Sequence, residues 1–331
     1  MTILTLGARI PLVIFLGLVS FATIVGNSLV LLAWIFYKPV RKPQNSYLIS
    51  LATADLLVGV FLAPTMIGEL GSEAWPWGRL WCQIYMLFAW LLATASVLHL
   101  IAISMDRYHL IFDTLTYMRR RTFPFFLRRI CLIWTFAFWL IFPPVKDWEA
   151  IGDRSEQLGL CVSTMSRDLS VHLAFGSYVL PVALLVSTYA AIYQKLQHRR
   201  EVLQSRMSTN YSDTTITMGH PHGRYHIHRS TSTIIGKNGE DPALTLTKNR
   251  TAAKMLGIII LAFALLWLPF TLGYSIIGFI PEESRPSPVI LPIIVAIGYS
   301  NSACNPCIYA YVNPDFRKGF TKILLFWRKA H

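Results

Sequence analysis

Pro43–Gly68 reads PQNSYLISLATADLLVGVFLAPTMIG and carries a single charge, Asp55. A helix rises about 1.5 Å per residue, so about 20 apolar residues cross a hydrocarbon core. This stretch is long enough, and its one carboxylate falls near the middle. Comparable gaps recur. Ile10–Tyr37, Gln83–Met105, Ile130–Val145, Leu169–Gln194, Met255–Pro281 and Pro286–Pro314 hold no charged side chain. Ile130–Val145 is the short one. Arg128 and Arg129 can snorkel at one end, and Trp139, Pro143 and Pro144 can extend the other. The pattern predicts an all-α membrane protein, a seven-transmembrane helix bundle occupying residues 1–331 as one domain. The ten-residue alternation of a β-barrel is absent. Only 14% of residues are charged, against about a quarter in soluble domains. Seven apolar helices in a row would leave nothing to cover a soluble core.

Seven spans put the termini on opposite sides. With the N-terminus extracellular, 24 of the 30 Lys and Arg residues face the cytoplasm, among them Arg119, Arg120 and Arg121. The net charge of +13 is therefore a positive-inside distribution, aided by anionic membrane lipid, and not a nucleic-acid signature. The first apolar stretch is too long for a cleaved signal peptide and is expected to act as an anchor. Of the five cysteines, only Cys82 and Cys161 fall outside, in oxidising space. Pairing them ties the top of the third span to the second external loop. Residues 198–248, rich in Ser, Thr, His, Arg and Asn, are expected to form a third cytoplasmic loop, disordered in its middle. His220, His222, His226 and His228 there read as a solvated tract, not a metal site, and Ser205, Ser208 and Ser230 are open to kinases.

An ionisable group in mid-membrane is expensive and marks function by default. Asp55 has polar residues of similar depth on other spans: Asn27, Ser96, Asn301, Ser302 and Asn305. Such a cluster can hold a small cation or a proton. Asp106-Arg107-Tyr108 ends the third span, where the Asp and Arg can pair with one another. Pro181, Pro269 and Pro306 interrupt the fifth, sixth and seventh spans and supply hinges.

These motifs together resemble the rhodopsin-like (class A) G-protein-coupled receptors. The matching residues are Gly26-Asn27, Leu51-Ala52-x-Ala54-Asp55, Cys82, Asp106-Arg107-Tyr108, Trp134, Pro181, Tyr189, Phe263-x-x-x-Trp267-x-Pro269 and Asn305-Pro306-x-x-Tyr309. Asp315-Phe316-Arg317 then opens a short amphipathic C-terminal helix, 314–328, suited to the membrane surface. The resemblance implies a plasma-membrane receptor without enzymatic activity. Its implied partners are a heterotrimeric G protein, an extracellular small molecule, membrane lipid, a kinase and arrestin. It assigns Asp106, Arg107, Tyr108, Leu115, Tyr189 and Tyr309 to G-protein coupling and its switch. Val97, Pro181 and Phe263 become the repacking core. Asp55, Ser96, Asn301, Ser302 and Asn305 become a sodium site, with no other metal or cofactor. Two departures stand out. The acid that often locks the arginine is Asn249 here, and the proline common before Leu115 is Thr114. Both predict a loose inactive state with basal activity.

Within that family the chain resembles the biogenic-amine and muscarinic group, in Trp267-Leu268-Pro269-Phe270 and Gly298-Tyr299-Ser300-Asn301-Ser302. Those receptors place an amine-binding Asp seven residues after the disulfide cysteine. Here that position is Ala89. The ligand pocket is expected from Tyr85, Ala89, Trp90, Ser177, Trp267, Phe270, Tyr274 and Tyr299, an aromatic cage able to hold a cation through π faces or a neutral lipid-like or aromatic molecule. Glu69, at the top of the second span, is a candidate substitute counter-ion. The competing class is a transporter or channel, which commonly shows internal repeats and several mid-membrane charges. This chain has no repeat and one such charge.

Overall fold

The computed structural model describes residues 6–72, 74–141, 148–162, 167–212, 242–281, 284 and 290–329. Six of its helices are long and apolar enough to cross a membrane: Leu6–Phe36, Pro43–Ser72, Gly78–Phe112, Phe123–Leu140, Ala174–Ser205 and Asn249–Phe279. They form the first to sixth spans. Ile290–Val312, 23 residues long, takes the seventh place. It is less apolar because Asn301, Ser302 and Asn305 lie on it. All three are buried in the bundle, so none meets lipid.

The third span is the axle. The second, fourth, fifth and sixth spans all pack on it. The first lies against the second and seventh, and the sixth against the seventh. Close approach needs small residues. A Cβ on Gly26 would stand 2.9 Å from the Pro306 ring, so only glycine lets the first span meet the seventh at this level. Two apolar cores result. One surrounds Leu62, Tyr85, Trp90 and Tyr299 at the disulfide end. The other surrounds Leu100, Phe126, Phe263 and Tyr309 at the Arg107 end.

Two spans depart from regular helix beside prolines. Val58–Leu62 is a π-helical segment just before Pro64, and His172–Val179 is another just before Pro181. A proline lacks the N–H that would bond four residues back, and widening the turn accommodates the loss.

The fourth span corrects the charge map. Its helix, Phe123–Leu140, starts before Arg128 and Arg129 instead of after them. Arg129 lies over the Phe125 ring at 4.4 Å, so an arginine is accommodated within the helix. Pro143 and Pro144 fall outside the described residues. The 198–248 stretch is also corrected at its ends. Helix continues from Leu180 to Ser212, and another begins at Pro242. Straight-chain formers such as Glu201, Leu203 and Gln204 carry the helix onward. The middle of the stretch, with the four histidines and Ser230, lies outside the described residues, as does the Ser208 side chain. The C-terminal helix is Pro314–Lys329. Phe316, Phe320 and Ile323 are buried against the bundle, while Leu324 and Leu325 are exposed.

One hydroxyl ties three spans. Ser50 Oγ lies 2.8 Å from His99 Nε2 and accepts a bond from Trp134 Nε1 at 3.0 Å. His99 Nδ1 is 2.7 Å from the Ala95 carbonyl, which can only accept. The proton therefore sits on Nδ1, and in the neutral ring Nε2 accepts from Ser50. Ser50→Ala is expected to strand both rings and cost about 1–3 kcal/mol. Thermal unfolding of the purified protein in detergent checks this, and an unchanged Tm would contradict it.

Candidate functional site

Three clusters lie along the axis of the bundle. The first is an aromatic cavity at the disulfide end, lined by Tyr85, Met86, Ala89, Trp90, Ala93, Trp267, Phe270, Tyr274, Val295 and Tyr299. Seven of the eight expected ligand residues therefore share one wall; the side chain of Ser177 is outside the described residues. Ring contacts hold the wall together. Phe270 lies 4.5 Å from Tyr274 and 5.3 Å from Trp267, centroid to centroid. Trp90 reaches Phe270 at 6.1 Å. Tyr85 and Tyr299 meet hydroxyl to hydroxyl at 2.9 Å, joining the third and seventh spans. The indole N–H groups of Trp90 and Trp267 are buried without an acceptor.

The disulfide end of this cavity is held by the segment between the fourth and fifth spans. Cys82 and Cys161 form a disulfide. The backbone N–H of Cys161 donates to Glu69 Oε1 at 2.9 Å. A loop helix, Trp148–Leu158, is pinned by Arg79, which pairs with Glu149 and with Asp153.

The second cluster surrounds Asp55, which is 1% exposed. Asn305 Nδ2 donates to Asp55 Oδ2 at 2.8 Å, joining the second and seventh spans. Asn27 Nδ2 reaches the Ser302 carbonyl at 3.1 Å, joining the first and seventh. Ser96 and Asn301 are buried as well. Ser96 Oγ and Asn27 Oδ1 have no partner. A carboxylate with uncommitted oxygens nearby in the core is a donor set suited to a hard cation. Among the described residues no group of three or more His, Cys, Asp or Glu side chains converges.

Adjoining the aromatic cavity, a smaller cavity is lined by Val97, Phe263 and Trp267, with Tyr178. Pro181 is buried next to it in sequence, one turn beyond Tyr178. Tyr178 donates to the Ala264 carbonyl at 2.7 Å, upstream of Pro269.

The third cluster is at the Arg107 end. Here Asp106 does not pair with its neighbour Arg107. Arg121 Nη2 takes Asp106 Oδ2 at 2.8 Å, and Tyr117 donates to Oδ1 at 3.0 Å. Burial, then the Asp106 carboxylate, raises the Tyr117 phenol above its ordinary pKa, which keeps it a donor. Arg107 Nε is left buried with no partner. Tyr108 stacks on Phe112 at 4.3 Å. Leu115 is exposed on the short helix Thr114–Arg120. The Tyr189 ring rests on Gly257, where a Cβ would meet it at 2.8 Å. Tyr309 is fully buried, its hydroxyl unpartnered.

The roles of Arg121, Tyr117 and His99 escaped sequence reading. Arg121 sits in a basic run that reads as positive-inside charge, and only the turn after Thr114–Arg120 brings it to Asp106.

These features define a seven-helix membrane receptor, and the family model described as 7 transmembrane receptor (rhodopsin family) matches residues 26–309. The chain belongs to that family. It is 29% identical over 344 residues to "Probable G-protein coupled receptor No18" of Amphibalanus amphitrite, covering 96% of this chain and 91% of that protein. It is 28% identical to "5-hydroxytryptamine receptor 1D" of Rattus norvegicus, covering 97% and 91%. It is also 28% identical to "Tyramine receptor Ser-2" of Caenorhabditis elegans, covering 91% and 81%. The protein is thus a multi-pass G-protein-coupled receptor and not an enzyme. Nothing in these likenesses favours a transporter or a channel.

The Arg121–Asp106 pair has side chains only 10% and 3% exposed. Arg121→Gln leaves a buried carboxylate underpaired and is expected to cost about 3–5 kcal/mol. Adding Asp106→Asn should recover part of that loss. Thermal unfolding of both variants tests it; additive losses would rule out a direct pair.

Proposed function

We propose that the chain resides in the plasma membrane with its N-terminus outside. There it turns binding of a small molecule, amine-like or of an atypical class, into nucleotide exchange on a heterotrimeric G protein. The observation that carries this is the third span itself. Tyr85, Ala89 and Trp90 line the aromatic cavity near one end of it, and Arg107 stands at the other with its buried Nε unpartnered. The names of the relatives, receptors for 5-hydroxytryptamine and for tyramine, make aromatic amines the first compounds to try.

The mechanism follows from the packing. Trp267 lines both the aromatic cavity and the cavity shared by Val97 and Phe263. A ligand that shifts the Trp267 ring shifts this contact, and the sixth span pivots at Pro269. Outward movement of its inner end opens a cleft beside Arg107, which receives the G protein. Tyr189 and Tyr309 steady the open form, and exposed Leu115 docks on the partner. The C-terminal helix rests on the inner membrane surface. Kinase and arrestin act on the inner face afterwards.

Asp106 is already engaged by Arg121 and Tyr117, and among the described residues no ion pair locks Arg107. This supports basal signalling. Exchange of labelled GTP analogue on membranes bearing the receptor should exceed that on mock membranes without added ligand. Arg107→Ala should abolish it while surface expression persists. Full exchange by that variant would contradict the mechanism.

Sodium binding at Asp55 is the reading that its donor set supports, with Asn305, Asn301, Ser302 and Ser96 as the remaining ligands. A bound cation would hold the second, third and seventh spans together and favour the closed form. Basal exchange is therefore expected to fall as sodium replaces potassium at constant ionic strength. Asp55→Asn should remove that dependence, whereas an equal sodium response in the variant would count against the site.

A further inference from the structure

We propose that Glu69 is the counter-ion of the ligand, and that the ligand is a protonated aromatic amine seated toward the second and seventh spans. This rests on the small-molecule-receptor reading above and names the ligand class for that site.

The aromatic cavity does not end at Tyr85. Tyr85, Met86, Tyr274 and Val295 also line an outer cavity, whose wall adds Met66, Glu69 and Cys161. Among the described residues lining the two, Glu69 is the sole acid. Ala89 brings only a methyl group to the inner one. A cation entering this space therefore finds one carboxylate, and finds it on the second span.

That carboxylate is held ready. Its Oε1 accepts from the Cys161 N–H at 2.9 Å, and Cys161 is fixed by the disulfide to Cys82 on the third span. The group is anchored from two spans without being neutralised. Among the described residues no Lys, Arg or His pairs with it. Arg79, the basic residue at the same end of the third span, is committed to Glu149, Asp153 and Glu156. A carboxylate walled by aromatic and aliphatic side chains with no counter-charge is costly, and a ligand ammonium offsets that cost. The tyrosines fit the same cation. Tyr85, Tyr274 and Tyr299 offer π faces beside Glu69.

The other end of the ligand follows from the inner wall. Trp90 and Trp267 have buried N–H groups with no acceptor. An oxygen-bearing aromatic ring gives them one, while its ring packs against Phe270. The chemistry is an arylalkylammonium with a hydroxyl or similar oxygen on the ring.

The test uses the full chain purified in detergent, with thermal unfolding as readout. The probes are tyramine, 5-hydroxytryptamine and the neutral alcohol 4-hydroxyphenylethanol, which has the shape of tyramine without its charge. Glu69→Gln keeps an oxygen to accept the Cys161 N–H, so the loop anchor survives. At least one amine should raise the Tm of the natural protein and the alcohol should not. Glu69→Gln should weaken the amine by about 10- to 100-fold, and Glu69→Asp by less. Equal amine affinity in Glu69→Gln, an equal shift from the alcohol, or no shift with either amine would overturn the proposal. The amine-against-alcohol comparison decides even if a variant fails to fold. Nucleotide exchange on the same preparation separates the two readings. Exchange without amine binding sinks Glu69 and leaves the receptor function; amine binding without exchange sinks the coupling and leaves Glu69.

Discussion

Hydrocarbon offers no hydrogen-bond partner, so every polar group inside this bundle must find one on another part of the chain. The architecture follows from how that demand is met. Helices satisfy their own backbones, and the few polar side chains become the links between them. Ser20 reaches the Gly59 carbonyl at 2.8 Å, joining the first and second spans. Asn305 and Asp55 join the seventh and second. Asn27 joins the first to the seventh. Ser50, His99 and Trp134 join the second, third and fourth. Apolar packing is nearly non-directional and tolerates sliding. These bonds do not, and they fix which rotation of each helix faces inward.

The exceptions are informative. Buried side-chain atoms without partners include Thr23, Asn27, Ser96, Ser104, Trp90, Arg107, Trp267 and Tyr309. Six of them lie on the third, sixth or seventh span. A native interior rarely leaves polar atoms stranded without a reason. On the proposed reading, the reason is that the chain has more than one arrangement to serve. Groups unpaired in one packing are those available to a ligand, an ion or another packing. Arg107 shows the logic most plainly, because Arg121 has removed the neighbour it would otherwise hold.

The spans were legible because membrane insertion writes itself as absence of charge. Asp55, Arg107, Pro269 and the cysteine pair were legible because each breaks the surrounding composition. The fourth span was misplaced because the charge map treated Arg128 and Arg129 as a boundary, whereas long side chains let a helix begin before them. The inner loop was drawn too long because Ser and Arg are polar yet still carried by a helix extending from a membrane span. The π segments left no mark beyond Pro64 and Pro181, since a widened turn changes which residues face inward without changing their hydrophobicity. Arg121 and His99 were hidden for a different reason. Their meaning is a contact across spans, and neither has unusual spacing along the chain.

Coupling between the two ends demands only a modest energy difference. A ligand shifts an equilibrium by its differential affinity for two states and by no more. On the proposed reading, Trp267 is where such a difference arises. It lines the aromatic cavity and the cavity shared by Val97 and Phe263, and Phe263 packs 6.4 Å from it, centroid to centroid. Core packing has discrete solutions, because close-packed side chains hop between rotamers instead of deforming. A small displacement of Trp267 is thus resolved by one layer or the other, and Pro269, two residues on, lets the backbone follow. On the proposed reading, the loose grip on Arg107 sets how far the balance already leans toward signalling before any ligand arrives. The ligand then needs to supply only the remainder, and a receptor leaning that way gains less from its agonist than one whose arginine is locked.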